Sequence, residues 1–446
     1  MTQNSQSSSQ PRRRRELDAM GLLVVVGLVF FHSAQIFYYA DFFVKNEPPN
    51  IQSVSQLVST LLVAFAGLWG MPLLFLIAGL AIWYSLRKRS AGQFALERTR
   101  RLVIPLVVGT LLLVPPMVYY GQKSDPAYQE TYLQFLPRFF NVQLSIDFPR
   151  FLSGAPPDEL FTIGHLWFLE YLFVFTLVLL PLWLFLRRPA GQRLVDRFGD
   201  FCTLPWAIFS LALPIVIIEA ALGTEFAGGW NRYAYIPFLI YGFLMAADGR
   251  LGRAFQRHRR SALILGLVAL LLYFAGSYKL GPAVQLDPQT EYDLAHVLFR
   301  LLKGFAGWFW VVVIMGLAVG VGQKQSRGVG QKRPQGGTEP GRDSQSEPSA
   351  TPRRPSLLDR VAGYAGEAQL PFYVLHMTPI VVIGFYVVQW DVNALVKYGV
   401  IVLATLGVVL VVYDIGVRRT RLTRFLFGMK PSTTQTGQAQ SKVEPE

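Results

Sequence analysis

The chain has 446 residues, 52% of them hydrophobic and only 16% charged, with a formal net charge of +14. Soluble domains carry nearer a quarter charged residues, and here the apolar residues form long runs without the alternation of barrel strands, so bilayer-spanning helices are expected. The basic residues sit in short clusters between those runs, which excludes a nucleic-acid-binding face and is the pattern that sets membrane topology.

Residues 1–16 form a Ser/Gln-rich, basic tail containing Arg12, Arg13, Arg14 and Arg15, expected to be disordered. The first apolar run, about 19–39, is too long for a signal peptide and lacks a small-residue cleavage site, so it is predicted to be an uncleaved span. Further spans are predicted near 57–86, 102–120, 166–186, 204–222, 235–247, 263–278, 298–321, 370–388 and 400–417. The segment 235–247 is the shortest and contains Pro237. Alternate loops are basic: Arg87 to Arg101, then Arg187, Arg188, Arg193 and Arg197, then Arg250, Arg253, Arg257, Arg259 and Arg260. The intervening loops carry Asp41, Glu47, Asp125, Glu130, Asp158, Glu159, Asp287, Glu291, Asp293 and Asp391.

This alternation predicts an all-α polytopic membrane protein of about ten transmembrane helices, with N and C termini cytoplasmic. Eight spans fall in 17–321 and two in 357–429, as one domain. The Gly/Pro/Ser/Gln-rich linker 322–356 and the tail 430–446 are expected to be disordered and cytoplasmic. No internal repeat is visible, which argues against an inverted-repeat transporter.

Ionisable residues inside spans are costly and point to function. His32 lies in the outer half of the first span, His376 inside the ninth, Glu219 near the outer end of the fifth, and His165 and Glu170 at the outer entrance of the fourth. A histidine here is either a general base working near neutral pH or a hydrogen-bonded link between helices. For Glu219 and Glu170 a structural role at the outer interface is expected. Cys202, the single cysteine, excludes an intramolecular disulfide and a multi-cysteine metal site. With no basic neighbour it reads as a small hydrophobe. No phosphate loop, metal-binding His-Glu-x-x-His or Gly-x-Ser-x-Gly elbow occurs.

Four segments carry a resemblance. They are Leu17-Asp18-Ala19-Met20-Gly21 running to Phe31-His32-Ser33; Gly70 to Gly79 followed by Glu97-Arg98-Thr99-Arg100-Arg101-Leu102-Val103-Ile104-Pro105; His165-Leu166-Trp167-Phe168-Leu169; and Leu370-Pro371-Phe372-Tyr373-Val374-Leu375-His376 with Tyr413-Asp414 and Arg424 to Gly428 after it. In this order they resemble the membrane acyltransferase-3 family, particularly its branch of OpgC-type glucan succinyltransferases, from Leu17 to about Met429.

The resemblance implies transfer of an acetyl or succinyl group from cytoplasmic acyl-CoA to a hydroxyl of a carbohydrate or other envelope component, in the inner membrane. It implies no tightly bound cofactor and no metal. Partners would be acyl-CoA, the glycan or envelope acceptor and membrane lipid, with no nucleic acid. The family pattern is Arg, ten residues, then His, which puts both groups on one helix face about 16 Å apart. This chain has His32 but Gly21 in place of the Arg. Asp18 shares the face with the opposite charge, and Arg14 and Arg15 lie farther towards water.

The resemblance assigns His32 as catalytic base for direct transfer without a covalent intermediate. Arg98 and Arg101 either bind the CoA phosphates or serve only as positive-inside residues. His165 and Trp167 either line the outward acceptor site or anchor the helix at the interface. His376 matches a family position with no chemical step assigned. Besides the acyltransferase, two readings remain: a transporter or flippase of an envelope precursor, and an acyltransferase homologue that has lost its chemistry.

Overall fold

The computed structural model describes residues 10–38, 42–48, 53–145, 147–223, 228–280, 293–330 and 357–429. Five helices are long and apolar enough to cross a membrane: α2 (Val54–Leu86), α3 (Ala91–Gln122), the described Gly249–Gly276 stretch of α10 (Gly249–Leu280), the Leu294–Gly320 stretch of α11 (Leu294–Gly330), and α14 (Ala394–Val411) with its π-helical end to Val417. Two bent pairs raise the number to as many as seven: Gly164–Val178 with Leu180–Leu186, bent by 53°, and Gly366–Leu375 with Met377–Val387, bent by 48°. They contain α5 (Trp167–Val178), α6 (Leu180–Leu186), α12 (Leu357–Leu375) and α13 (Met377–Val387). The remaining expected spans are helical but shorter: the described apolar part of α1 (Gln10–Gln35), the broken stretch ending in α8 (Leu213–Leu222), and α9 (Tyr235–Ala247). Of the expected tails and linker, 1–16, 322–356 and 430–446, the parts 1–9, 331–356 and 430–446 lie outside the described residues, while 10–16 and 322–330 are helical, continuing α1 and α11.

Helix ends follow local chemistry. Ser53 caps α2, and Ser90 with Gln93 forms a capping box at the start of α3. Pro181 stands at the break between α5 and α6, where the missing N–H interrupts the helical ladder. Large apolar side chains such as Leu271 and Leu403 point outward, as a lipid-facing surface requires. These features make the chain a multi-pass membrane protein.

The expectation of a wholly α-helical chain needs one correction. A short antiparallel hairpin, β1 (Val142–Leu144) with β2 (Leu152–Gly154), lies in the loop before His165. Arg138, on the short α4 (Tyr132–Phe139), holds this loop by pairing with Glu130 and, at 2.7 Å, with Asp158. The Arg138 guanidinium draws the Asp158 carboxyl below its ordinary range. Arg232 ties the hairpin turn to the start of α9 through Asp147 at 2.6 Å.

Close helix packing depends on glycine. A Cβ on Gly79 of α2 would collide with Leu239 O of α9, and one on Gly242 with Leu76 O. The two backbones therefore touch as small residues allow in membranes. Burial pushes the Cys202 thiol, after α7 (Pro189–Phe201), up to about 12, consistent with an inert side chain.

Glu219 does not sit at the outer interface as expected. It is 0% exposed and pairs with Lys303 of α11 at 2.6 Å. Its other oxygen accepts the Asn231 backbone N–H at 2.6 Å, while Lys303 donates to Gly229 O at 2.7 Å and lies over the Trp230 ring. The pair thus fixes the turn between α8 and α9. Removing one partner leaves a buried charge uncompensated, a loss of about 3–5 kcal/mol. Lys303→Met is therefore expected to lower the unfolding temperature in detergent sharply, and Glu219→Leu added to it to restore most of the loss. A Lys303→Met protein as stable as wild type would contradict this account.

Candidate active site

Three of the chain's five histidines converge from three distant segments. The ring of His376 is 5.3 Å from that of His32 and 5.0 Å from that of His165, centroid to centroid. His376 is fully buried, His165 is 7% exposed, and His32 is half-buried.

The convergence begins with a broken helix. Pro379 has no N–H to give to Leu375 O, and its ring excludes a regular turn before it. Helices α12 and α13 therefore meet at His376 with the 48° bend. Two carbonyls before the break are taken by side chains. Tyr373 O accepts from His376 Nδ1 at 2.7 Å, and Val374 O accepts from His165 Nε2 at 3.1 Å. Such bonds satisfy backbone groups that a helix end leaves over.

His165 is brought there by Gly164. Its φ of +52° is the left-handed conformation that glycine adopts freely, and a Cβ would also meet the Met117 methyl. The 3₁₀ turn Gly164–Leu166 then opens α5 and turns His165 inward, where its carbonyl accepts the Tyr373 hydroxyl. His32, near the end of α1, donates from Nδ1 to Gln35 Oε1 at 2.6 Å.

A carbonyl oxygen can only accept, so each bond fixes a tautomer. His165 carries its proton on Nε2, His376 and His32 on Nδ1. The opposite nitrogens keep their lone pairs. His165 Nδ1 and His376 Nε2 are buried without a hydrogen-bond partner. The cluster therefore offers hydrogen-bond acceptors and no spare N–H donor, which is what a hydroxyl-bearing molecule needs. Among the described residues no group of His, Cys, Asp or Glu is arranged to hold a metal ion.

Trp167, two residues from His165, does not join the cluster. It packs in a separate aromatic group with Tyr171, Tyr235 and Phe75. Arg98 and Arg101 lie lower on the bundle. Gly109 of the same helix faces Leu166 and Val374 at the level of the histidines, which places Arg98 roughly 16 Å below them at 1.5 Å per residue. Arg98 is buried against the Phe94 ring, its Nε has no hydrogen-bond partner, and it forms no ion pair among the described residues. A π-helical turn over Thr99–Val103 follows it.

Position 21 is filled from across the bundle. A Cβ on Gly21 would run into the Gln369 carboxamide of α12. The side chains of Arg14, Arg15 and Asp18 lie outside the described residues. Gln369 carried no signal in the sequence, because its role depends on a contact between segments nearly the whole chain apart. Lys303 did carry one: an ammonium inside a predicted span.

A family model described as an acyltransferase domain matches residues 14–414 of the chain. No curated protein and no solved structure matches it.

Gly21→Arg is expected to displace Gln369 and lower the unfolding temperature, with overpacking costing about 1–3 kcal/mol. Gly21→Arg with Gln369→Ala should regain most of the loss. An unchanged unfolding temperature in the single variant would show that Gln369 does not hold that space.

Proposed function

The chain belongs to the membrane acyltransferase-3 family, and from that premise we propose that the three-histidine cluster transfers an acyl group from acyl-CoA to a hydroxyl of a carbohydrate or related envelope component. The observation that carries this reading is the set of bare imidazole nitrogens. Each can accept a hydrogen bond from a hydroxyl, as an acceptor rich in O–H groups requires.

His32 is the general base, because it is the least buried of the three and its Nδ1 proton is already held by Gln35. Its Nε2 takes the proton of the acceptor hydroxyl as the oxygen attacks the thioester carbonyl. The tetrahedral intermediate collapses with cleavage of the C–S bond, and the imidazolium returns the proton to the departing thiolate. An ester and free CoA result, with no covalent enzyme intermediate. His376 and His165 orient the acceptor through their remaining nitrogens.

Arg98 and Arg101 are the donor-binding residues of this reading. The buried Arg98 guanidinium, which forms no ion pair among the described residues, favours a phosphate ligand. Its separation from the histidines, roughly 16 Å, suits a donor whose charged end stays at one face while its thioester reaches inward. Supported by the alternation of basic and acidic loops, the same reading places ten membrane-crossing segments with both termini and the arginines in the cytoplasm, and the protein in the inner membrane. Acetyl and succinyl groups are the donors proposed.

Purified protein incubated with radiolabelled acetyl-CoA or succinyl-CoA and envelope glycans tests this. His32→Ala is expected to lower transfer by about 10²–10⁴-fold, the usual share of a general base, and Arg98→Gln to raise KM for acyl-CoA more than it lowers kcat. Equal transfer by His32→Ala would remove His32 as the base. Failure of the wild-type protein to consume any acyl-CoA, with a labelled precursor crossing proteoliposomes, would replace the proposal with a transporter.

A further inference from the structure

A basic concavity lies away from the histidines. Its volume is about 570 Å³, and its lining includes Arg250, Arg253, Arg257, Arg259 and Arg260 at the start of α10. That size falls within the range of small-molecule sites. Neither α1, α5 nor α12, the segments of the candidate active site, contributes to it.

Its arginines are not equivalent. Arg250 is neutralised by Asp248 at 2.5 Å, by Asp200, and by Asp196 at 3.4 Å. Arg257 is braced by the Cys202 and Thr203 carbonyls at 3.2 and 3.0 Å, which fix its position without cancelling its charge. Arg253, Arg259 and Arg260 form no ion pair among the described residues. Five arginines against the three carboxylates of Asp196, Asp200 and Asp248 leave the cavity with an excess of positive charge. Left to themselves they repel, so the arrangement favours an anion carrying more than one negative oxygen.

The same helix face continues as a hydrocarbon surface. Arg253, Arg257, Arg260, Ile264, Leu267 and Leu271 recur at intervals of three and four residues and are all exposed, so they form one stripe along α10. Beside the cavity, Trp206 is 60% exposed and stands next to His258 with a ring separation of 6.2 Å. Exposed tryptophan is characteristic of the headgroup level of a bilayer. Charge and apolar stripe thus succeed one another along α10, as headgroup and acyl chains do in a phospholipid, with the interface marker Trp206 beside the charged end.

We propose that this cavity binds the phosphate headgroup of an anionic phospholipid, whose acyl chains lie along Ile264, Leu267 and Leu271. Basic pockets between spanning helices recognise anionic lipid headgroups by this chemistry. The cavity would hold the lipid as a fixed part of the protein's edge and leave acyl-CoA to the Arg98 region.

The test uses the full chain purified in a neutral detergent and titrated with dioleoyl-phosphatidylglycerol, cardiolipin, phosphatidylcholine, inorganic phosphate or CoA. Unfolding temperature and lipid retention by native mass spectrometry are the readouts. The anionic lipids are expected to raise the unfolding temperature and to remain bound, while phosphatidylcholine and inorganic phosphate do neither. Arg253→Gln/Arg257→Gln/Arg260→Gln should weaken that binding about tenfold or more. The control Arg187→Gln/Arg193→Gln/Arg197→Gln, which removes the same charge from another exposed cluster, should retain it. Equal lipid binding by the two triple variants would overturn the proposal, as would displacement of the lipid by CoA, which would make the cavity a donor site. If the first triple variant fails to fold, Arg260→Glu alone provides the comparison, with unchanged retention counting against the proposal.

Discussion

The candidate active site depends on a helix that cannot continue. Pro379 removes one backbone donor, and the ladder lapses for a turn in the middle of an apolar layer. An unsatisfied carbonyl there would cost several kcal/mol. Tyr373 O and Val374 O instead accept from His376 and His165. One backbone defect thereby gathers two imidazoles, selects the tautomer of each, and leaves one buried nitrogen of each without a hydrogen-bond partner. His32 arrives on α1, and Ile36, just past the end of that helix, packs against α13, where a Cβ on Gly384 would meet it. The bend is the cause, and the three-histidine arrangement is its consequence.

The departure at Gly21 takes a physical form on the same scaffold. Gln369 stands six residues below the Tyr373–Val374–Leu375 carbonyls' end of α12 and occupies the space beside Gly21. A neutral carboxamide therefore lies where the expected Arg-to-His pattern would put a cation. Arg98, a buried cation on a different helix, lies roughly 16 Å from the histidine level at 1.5 Å per residue. That is the separation the Arg-to-His pattern would span along a single helix. Donor recognition in the proposed mechanism thus uses a charge from α3 and a base from α1, with two side chains on different helices sharing the work of one motif.

Much of this was legible in the sequence, for stated reasons. Apolar run length marked the helices, and the segment 235–247 emerged with the bounds expected of it. Histidines in apolar runs marked three residues that converge in the structure, since an ionisable group within a span is costly. What remained hidden was anything set by contacts between distant segments. Trp167 sits two residues from His165, yet the turn at Gly164 sends the two side chains to different neighbours. Glu219 read as an interfacial carboxylate because its partner, Lys303, is 84 positions away on another helix. The hairpin at Val142–Leu144 was invisible because three-residue strands carry no periodicity to detect.

The central claim is that donor and acceptor meet at the histidines from different depths of the bundle. Proteoliposomes of uniformly oriented protein, with radiolabelled acyl-CoA on the face bearing the arginines and a glucan acceptor only on the other, test it directly. The account predicts labelled acceptor on the far face and free CoA on the near one. Label appearing on the acceptor only when both substrates share a face would contradict it.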